Sequence, residues 1–315
     1  MNYRYASSLP PTRSVTRNHY RMSSVAGSLA LAAAMASCGS DSTGPDNPLL
    51  KVPDFIYVSG ASGGAQMYTW HQGTTALFPA SIAGDIEPQS AAGKVVFTSY
   101  RISELNPEIY ISNLDGSNAI RLTTQSGTDN HPSLSPDGGT VVFASTRSGN
   151  SRIWTMGSDG SNPTALNTGS DAGVPETAPR YSPGGGRILF SSPRTNTTQI
   201  WIVPAAGGTA TQVTHEANGA FFGSWNPDGN SIYYVDGTDR TKIHRVNVAS
   251  GDVIDYVTDG NDVGDAACTN VVCLVVTKNT GANSDIYAYI GAGDTEPVAI
   301  LITSAAEFDP AVLVP

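Results

Sequence analysis

Residues His131 to Thr168 read HPSLSPDGGTVVFASTRSGNSRIWTMGSDGSNPTALNT, and most of the chain after Cys38 is built from diverged copies of this unit. Ser135-Pro136-Asp137-Gly138 is a turn signal: Pro presets φ, Asp bonds its own backbone and Gly accepts positive φ. A β-branched and aromatic run, Val141 to Ala144, predicts the strand that follows. Ser148 to Ser151 interrupts it, and Arg152 to Met156 resumes it. A second turn, Ser158 to Asn162, leads into Thr164 to Asn167. With the segment before the first turn, the unit predicts four short strands in an up-and-down meander.

The third-strand signature recurs as Met67-Tyr68, Ile109-Tyr110, Ile153-Trp154, Ile200-Trp201, Ile243-His244 and Ile286-Tyr287, at spacings of 42, 44, 47, 43 and 43 residues. The second strand keeps step as FIYVS from Phe55, VVFTS from Val95, VVFAS from Val141, ILFSS from Ile188, IYYVD from Ile232 and VCLVV from Val272. The first turn returns as SPGG at Ser182 and NPDG at Asn226. Successive residues of a strand face opposite ways, and here both are large and apolar, so each sheet must be covered on both faces. A ring of four-stranded sheets stacked face to face does this, and the period fits a β-propeller blade. The expected fold is all-β, a six-bladed propeller. The first blade, starting near Phe55, lacks an innermost strand. Glu307-Phe308-Asp309-Pro310 and Ala311 to Val314 repeat the Asn130-His131-Pro132 pattern, so the tail is expected to complete blade one and join the ends of the ring.

Residues 1–37 differ in kind. Arg4, Arg13, Arg17 and Arg21 stand without an acid, ahead of the apolar run VAGSLALAAAMA from Val25 to Ala36. That run is too short to span a bilayer and reads as a secretory signal, to be set aside from the fold. Its end, Met35-Ala36-Ser37-Cys38-Gly39, resembles a bacterial lipobox, with Met35 where that motif usually has Leu. The resemblance implies cleavage before Cys38 and lipid on the new terminal cysteine. Gly39, where an Asp would resemble a retention signal, implies an outer-membrane anchor, with the ring facing periplasm or cell surface. The alternative is an ordinary signal peptide with an incidental cysteine. Residues 39–51 are polar and turn-rich, a flexible tether. The domains expected are therefore 1–37 signal, 38–52 lipidated cysteine and tether, and 53–315 propeller.

From Cys38 onward 13 basic residues face 27 acids, a net charge of −14. Such a surface argues against nucleic acid, whose phosphates need a cationic face. Charged residues are 14% of the chain, against about 25% in a typical domain, which suits short strands and tight turns. No helix-period run stands out after Cys38.

Cys268 and Cys273 flank the first turn of the last blade. In an oxidising compartment they make a reasonable disulfide, and two buried, unbridged thiols are the equal alternative because disulfide geometry is strict. Gly60-Ala61-Ser62-Gly63-Gly64 matches G-x-S-x-G formally. It lies between strands with no helix following, so it reads as a glycine-rich loop and not as a nucleophile elbow. His71, His131, His215 and His244 show no metal-ligand spacing. His244 fills the aromatic slot of a third strand and is expected to pack or hydrogen-bond there. Asp115 to Asn118 and Asp159 to Asn162 lack the ligand density of a calcium loop and read as turns. No catalytic set, cofactor or metal is expected.

Aligning the blades on the turn proline places Glu87, His131, Ala178, Phe222 and Asp309 at equivalent positions ahead of each innermost strand, with Asp265 nearby in blade five. In a propeller such positions crowd one mouth of the central channel. Convergent polar groups there form the default binding site, and an acidic, partly aromatic mouth suits a basic peptide segment or a cation.

The unit SPDG, VVFAS, RIWTM, DGSNPTAL resembles the TolB-type propeller repeat, found in the periplasmic Tol-Pal component TolB and in the propeller domains of several peptidases. The resemblance covers roughly Pro53 to Pro315 and implies fold strongly and activity weakly. The chain departs from TolB in lacking the additional N-terminal α/β domain and in its lipobox. The expectation is a lipid-anchored, monomeric envelope scaffold or adaptor that binds an unidentified protein or peptide, meets membrane only through its anchor and has no enzymatic activity. Two alternatives stay open: a glycan or small-molecule binder, with Phe221 and Phe222 as the aromatic hint, and a hydrolase or lyase using the channel.

Overall fold

A computed structural model describes residues 52–60, 64–169, 173–238, 240–258, 262–269, 272–278, 284–290, 298–302 and 305–314. The signal segment 1–37, Cys38, the tether up to Lys51 and Ser62 of the glycine-rich loop lie outside the described residues.

Within the unit Thr43–Pro315, the described strands form six four-stranded antiparallel sheets. Blade one holds β1 (Phe55–Ser59), β2 (Gln66–His71) and β3 (Thr74–Leu77); blade two holds β4 (Asp85–Ala91), β5 (Lys94–Ser99), β6 (Glu108–Asn113) and β7 (Ile120–Arg121). Blade three is β8 (Asp129–Leu134), β9 (Thr140–Ser145), β10 (Arg152–Gly157) and β11 (Thr164–Ala165). Blade four is β12 (Thr177–Tyr181), β13 (Arg187–Ser192), β14 (Gln199–Pro204) and β15 (Thr211–Gln212). Blade five is β16 (Ala220–Trp225), β17 (Ser231–Asp236), β18 (Lys242–Asn247) and β19 (Val253–Thr258). Blade six is β20 (Asp262–Cys268), β21 (Val272–Lys278), β22 (Ser284–Ile290) and β23 (Val298–Leu301). The last strand, β24 (Glu307–Val312), pairs with β1 and completes blade one, as the repeat pattern requires.

The apolar core is divided among the seams between blades. Val95 and Phe97 pack toward blade one with Ile56, Val58 and Met67. Val96, between them on β5, packs the other way with Leu134, Val141 and Phe143 of blade three. Val142 in turn packs with Ile188 and Phe190 of blade four. This alternation is why both faces of each strand are apolar: each face serves a different seam. Full burial of such a side chain contributes about 1.5–3 kcal/mol.

The turns are held by their own side chains. Asp137 Oδ1 accepts from Ser135 Oγ at 2.6 Å and from the Gly139 amide at 3.0 Å, while Gly138 takes φ +69°. Asp115 and Asp159 accept from the Ser117 and Ser161 amides at 2.9 Å each, so the two Asp-Gly-Ser-Asn segments are turns. These bonds hold the Asp115 and Asp159 carboxyls below their ordinary range.

At the ends of β5, β9 and β13 a Ser-x-Arg triplet recurs: Ser99-Tyr100-Arg101, Ser145-Thr146-Arg147 and Ser192-Pro193-Arg194. Each arginine reaches a buried acid at the start of, or just before, its blade's innermost strand: Arg101 to Asp85 at 2.5 Å, Arg147 to Asp129 at 2.8 Å, Arg194 to Glu176 at 2.5 Å. Each guanidinium also lies over two aromatic rings: Phe97 and Tyr110, Phe143 and Trp154, Phe190 and Trp201. The buried acid, its cation and the aromatic pair form one brace per blade.

Candidate functional site

Each innermost strand slips register against its neighbour at the same point. The shifts fall between Ile86 and Gln89, Asn130 and Ser133, Thr177 and Arg180, Phe221 and Ser224, and Val263 and Ala266. In β24 the slip lies opposite Ile56 to Val58 of β1. Such a bulge bends its strand and re-aims the side chain it carries. The first residue of five bulges has left-handed backbone: Glu87 φ 56°, His131 51°, Ala178 49°, Phe222 57° and Asp309 48°. These are the five positions that alignment on the turn proline brings together, and they lie within the innermost strands rather than ahead of them, because the bulge interrupts the pairing without ending the strand. The left-handed region is costly for any residue but glycine, least so for Asn, Asp and His. In blade six the bulge holds Gly264 and Asp265, so Asp265 belongs to the sixth blade and not the fifth. Its side chain lies outside the description.

Three of the five are wired together. Glu87 Oε1 lies 3.1 Å from His131 Nε2. Glu87 Oε2 accepts from the His131 amide at 2.8 Å and from Thr98 Oγ1 at 2.7 Å. The Glu87 amide donates to Asp309 Oδ2 at 3.2 Å. The contact with Glu87 assigns the ring proton of His131 to Nε2, and Nδ1 is buried without a partner. Burial is the main influence on His131 and lowers its pKa; Glu87 opposes it, and the Arg180 charge adds to the lowering.

The mouth differs from the acidic one expected. Glu87 is only 7% exposed, because its carboxylate ties blade two to blade three. Below it a cavity of about 170 Å³ is lined by Gln89, Arg180, Ser224, Ala266 and Pro310. Arg180 donates to the Pro179 carbonyl at 3.3 Å, and no carboxylate pairs with it among the described residues. A cation therefore lines this cavity, together with Pro310, the residue after Asp309. Phe222 is the exposed apolar member of the rim, at 41%. Sequence reasoning missed Arg180; the signal was its place two residues after the bulge, on the strand lining the channel.

Elsewhere, His244 stacks on Tyr234 with centroids 5.4 Å apart and lies 3.2 Å from Asp255. His71 meets Asp54 at 2.7 Å, and His215 meets Gln212 at 3.1 Å. Among the described residues no three His, Cys, Asp or Glu side chains converge as a metal site. Cys268 and Cys273 face each other across the β20–β21 hairpin and are bonded at 2.02 Å.

Chemically, the mouth joins a carboxylate–imidazole pair, a second carboxylate, an exposed ring and a recessed guanidinium. No hydroxyl or thiol bonds His131 among the described residues, so the geometry is that of recognition more than of nucleophilic attack.

The TolB beta propeller domain family matches residues 80–175. Over that stretch the repeat is similar to the TolB propeller, and the ring as a whole has the six-bladed β-propeller fold. Solved structures of the same shape include TolB from Acinetobacter baumannii, with 17% identity, TM-score 0.64, and 84% of this chain covered against 67% of TolB. Kuenenia stuttgartiensis hydrazine synthase shows 14% identity and TM-score 0.64, over 82% of this chain and 46% of that one. Puromycin hydrolase shows 16% identity and TM-score 0.54, over 79% of this chain and 46% of that one. At these identities the chain shares with them a fold, while their chemistry stays their own.

Proposed function

We propose that this TolB-type propeller is an extracytoplasmic, lipid-anchored scaffold that binds an envelope protein or peptide at the mouth formed by Glu87, His131, Phe222 and Asp309. Its parts are a signal over 1–37, a lipidated Cys38 with a tether to residue 52, and the propeller from 53 onward, acting as a monomer. The observation that supports the reading is the recurrence of a left-handed bulge, with its backbone strain, at Glu87, His131, Phe222 and Asp309, one position in successive blades. The similar ring in the nidogen/laminin complex, at 14% identity and TM-score 0.59, belongs to a protein–protein assembly and agrees with this reading.

The test is a pull-down from detergent-solubilised envelope using the full chain and its Phe222→Gly/Asp309→Asn variant, both substitutions compatible with positive φ. A protein retained by the native ring and lost by the variant is the expected result. Retention by both removes the site from this mouth, and retention of nothing at modest salt sinks the scaffold reading. A hydrolase reading has the fold likeness to puromycin hydrolase and the Glu87–His131 pair behind it.

A further inference from the structure

At the other end of the innermost strands, the blades are stitched by cations. Arg187, the first residue of β13, crosses to blade five, where its Nη2 donates to the Gly229 carbonyl at 2.6 Å and its guanidinium lies 4.9 Å from the Trp225 ring centroid. Lys94, the first residue of β5, crosses to blade three, with Nζ 3.5 Å from both the Gly138 carbonyl and Ser158 Oγ. Gly138 and Gly229 hold the same place in the turns SPDG and NPDG.

The seam between blades three and four keeps the acceptors and lacks the cation. Register places Thr140 where Arg187 and Lys94 stand, Tyr181 where Trp225 stands, and Gly185 where Gly229 stands. The threonine hydroxyl stands three bonds nearer the backbone than a lysine Nζ and four nearer than an arginine Nη, too short to reach the next turn. Gly184 also replaces the turn aspartate found at Asp137 and Asp228, and a side chain there would meet nothing within 4 Å. Between the blades lies an open groove of about 600 Å³, lined by Asp137, Thr140, Thr155, Tyr181 and Gly184 to Gly186. Asp137 uses Oδ1 in its own turn, and its bond from Ser135 holds the carboxyl ionised and below its ordinary range. Among the described residues, neither the second oxygen, Oδ2, nor the Tyr181 hydroxyl makes a hydrogen bond. Burial first, and the Asp137 charge second, push that hydroxyl to about 12.

We propose that this seam is a seat for an arginine side chain of a partner polypeptide. The incoming guanidinium takes the place that Arg187 fills one seam further round. Its face lies on Tyr181, one N–H donates to the Gly185 carbonyl, and Asp137 Oδ2, which has no counterpart facing Arg187, supplies the charge. A lysine or a neutral sugar fits less well. The planar guanidinium is the group the homologous seam holds between a ring and a carbonyl, and a sugar would leave the carboxylate charge unanswered. The seat stands at the opposite end of the strands from the mouth and does not depend on it.

The probe is N-acetyl-arginine amide, titrated into the isotope-labelled full chain, with N-acetyl-citrulline amide as the uncharged isostere. Saturable amide shifts at Gly139 and Gly184 to Gly186 are expected with the arginine probe and not with citrulline. Thr140→Arg supplies the cation internally, as Arg187 does, and should weaken the probe on the order of tenfold or more without lowering the melting temperature. Tyr181→Leu should weaken it as well. Equal shifts with citrulline, or unchanged affinity in Thr140→Arg, overturn the proposal. Binding of free arginine but not of the blocked form assigns the groove to a small molecule and overturns the polypeptide reading, as do shifts produced by a neutral sugar alone.

Discussion

Replacing Arg147 with methionine removes a charge while keeping most of the apolar stem that lies against Phe143 and Trp154. What remains is Asp129, fully buried, whose Oδ1 already has no partner and whose Oδ2 loses the 2.8 Å contact with Nη2. Arg147 itself is only 10% exposed, so water does little to screen the pair. Breaking a buried pair from one side costs about 3–5 kcal/mol, because the surviving charge is uncompensated. For a domain of this size that is on the order of 10 °C in melting temperature. The double variant Asp129→Asn/Arg147→Met carries no orphaned charge and should recover most of the loss, since removing both members of a buried pair is far cheaper than removing one. Thermal unfolding of the parent, both single variants and the double variant, followed by circular dichroism at pH 7, closes the cycle. The brace is refuted if Arg147→Met melts within about 2 °C of the parent, or if the double variant falls by the sum of the singles.

Two further outcomes follow from the same contacts. His131 is held below its ordinary value of 6.5, chiefly by burial, so the folded state favours the neutral ring. That contribution is present above pH 6.5 and is lost as pH falls through that value toward the lowered one. A melting curve series from neutral to mildly acidic pH should therefore decline less steeply for His131→Asn, whose side chain tolerates the left-handed backbone; parallel curves would refute this. The Cys268–Cys273 bridge closes a short loop, and its removal by Cys268→Ser/Cys273→Ser should cost about 2 kcal/mol. A melting temperature unchanged by the substitution and by reductant would show that the bridge contributes nothing.

The ring was legible because its evidence is local and repeated. A period-two strand pattern with apolar residues on both faces leaves few architectures, and SPDG, SPGG and NPDG mark the same hairpin three times over. The clasp was legible because Glu307 to Val314 repeats a pattern whose partner is missing at the other end. Alignment on the turn proline also brought together the five positions that carry the left-handed bulges. It could not find their left-handed backbone, since nothing in Glu87 or Phe222 as residue types announces positive φ. Nor could it see that Glu87 spends its carboxylate on a neighbouring blade, because that contact joins residues 44 apart in sequence. The Ser-x-Arg triplets were visible as letters, but their meaning lies in acids fourteen to eighteen residues upstream of the serine or arginine they bind. The cross-seam contacts of Lys94 and Arg187 join residues 42 to 64 apart, and only the fold brings those together.

The clasp has a consequence for the order in which the molecule comes into being. Blades two to six are each contiguous in sequence and can close their own sheets as they are made. Blade one must wait for β24, which pairs with β1 across a separation of 248 residues between Ser59 and Glu307. Loop closure over so long a separation adds only about 0.6 kcal/mol per doubling of length, so the delay is one of timing more than of stability. Until then the inner edge of β1 is bare and Asp309 is absent from the rim, leaving the Glu87 amide without its acceptor. The mouth thus comes into existence in the same step that seals the ring. A partner that recognises that rim discriminates a finished propeller from an unfinished one without any separate device for doing so.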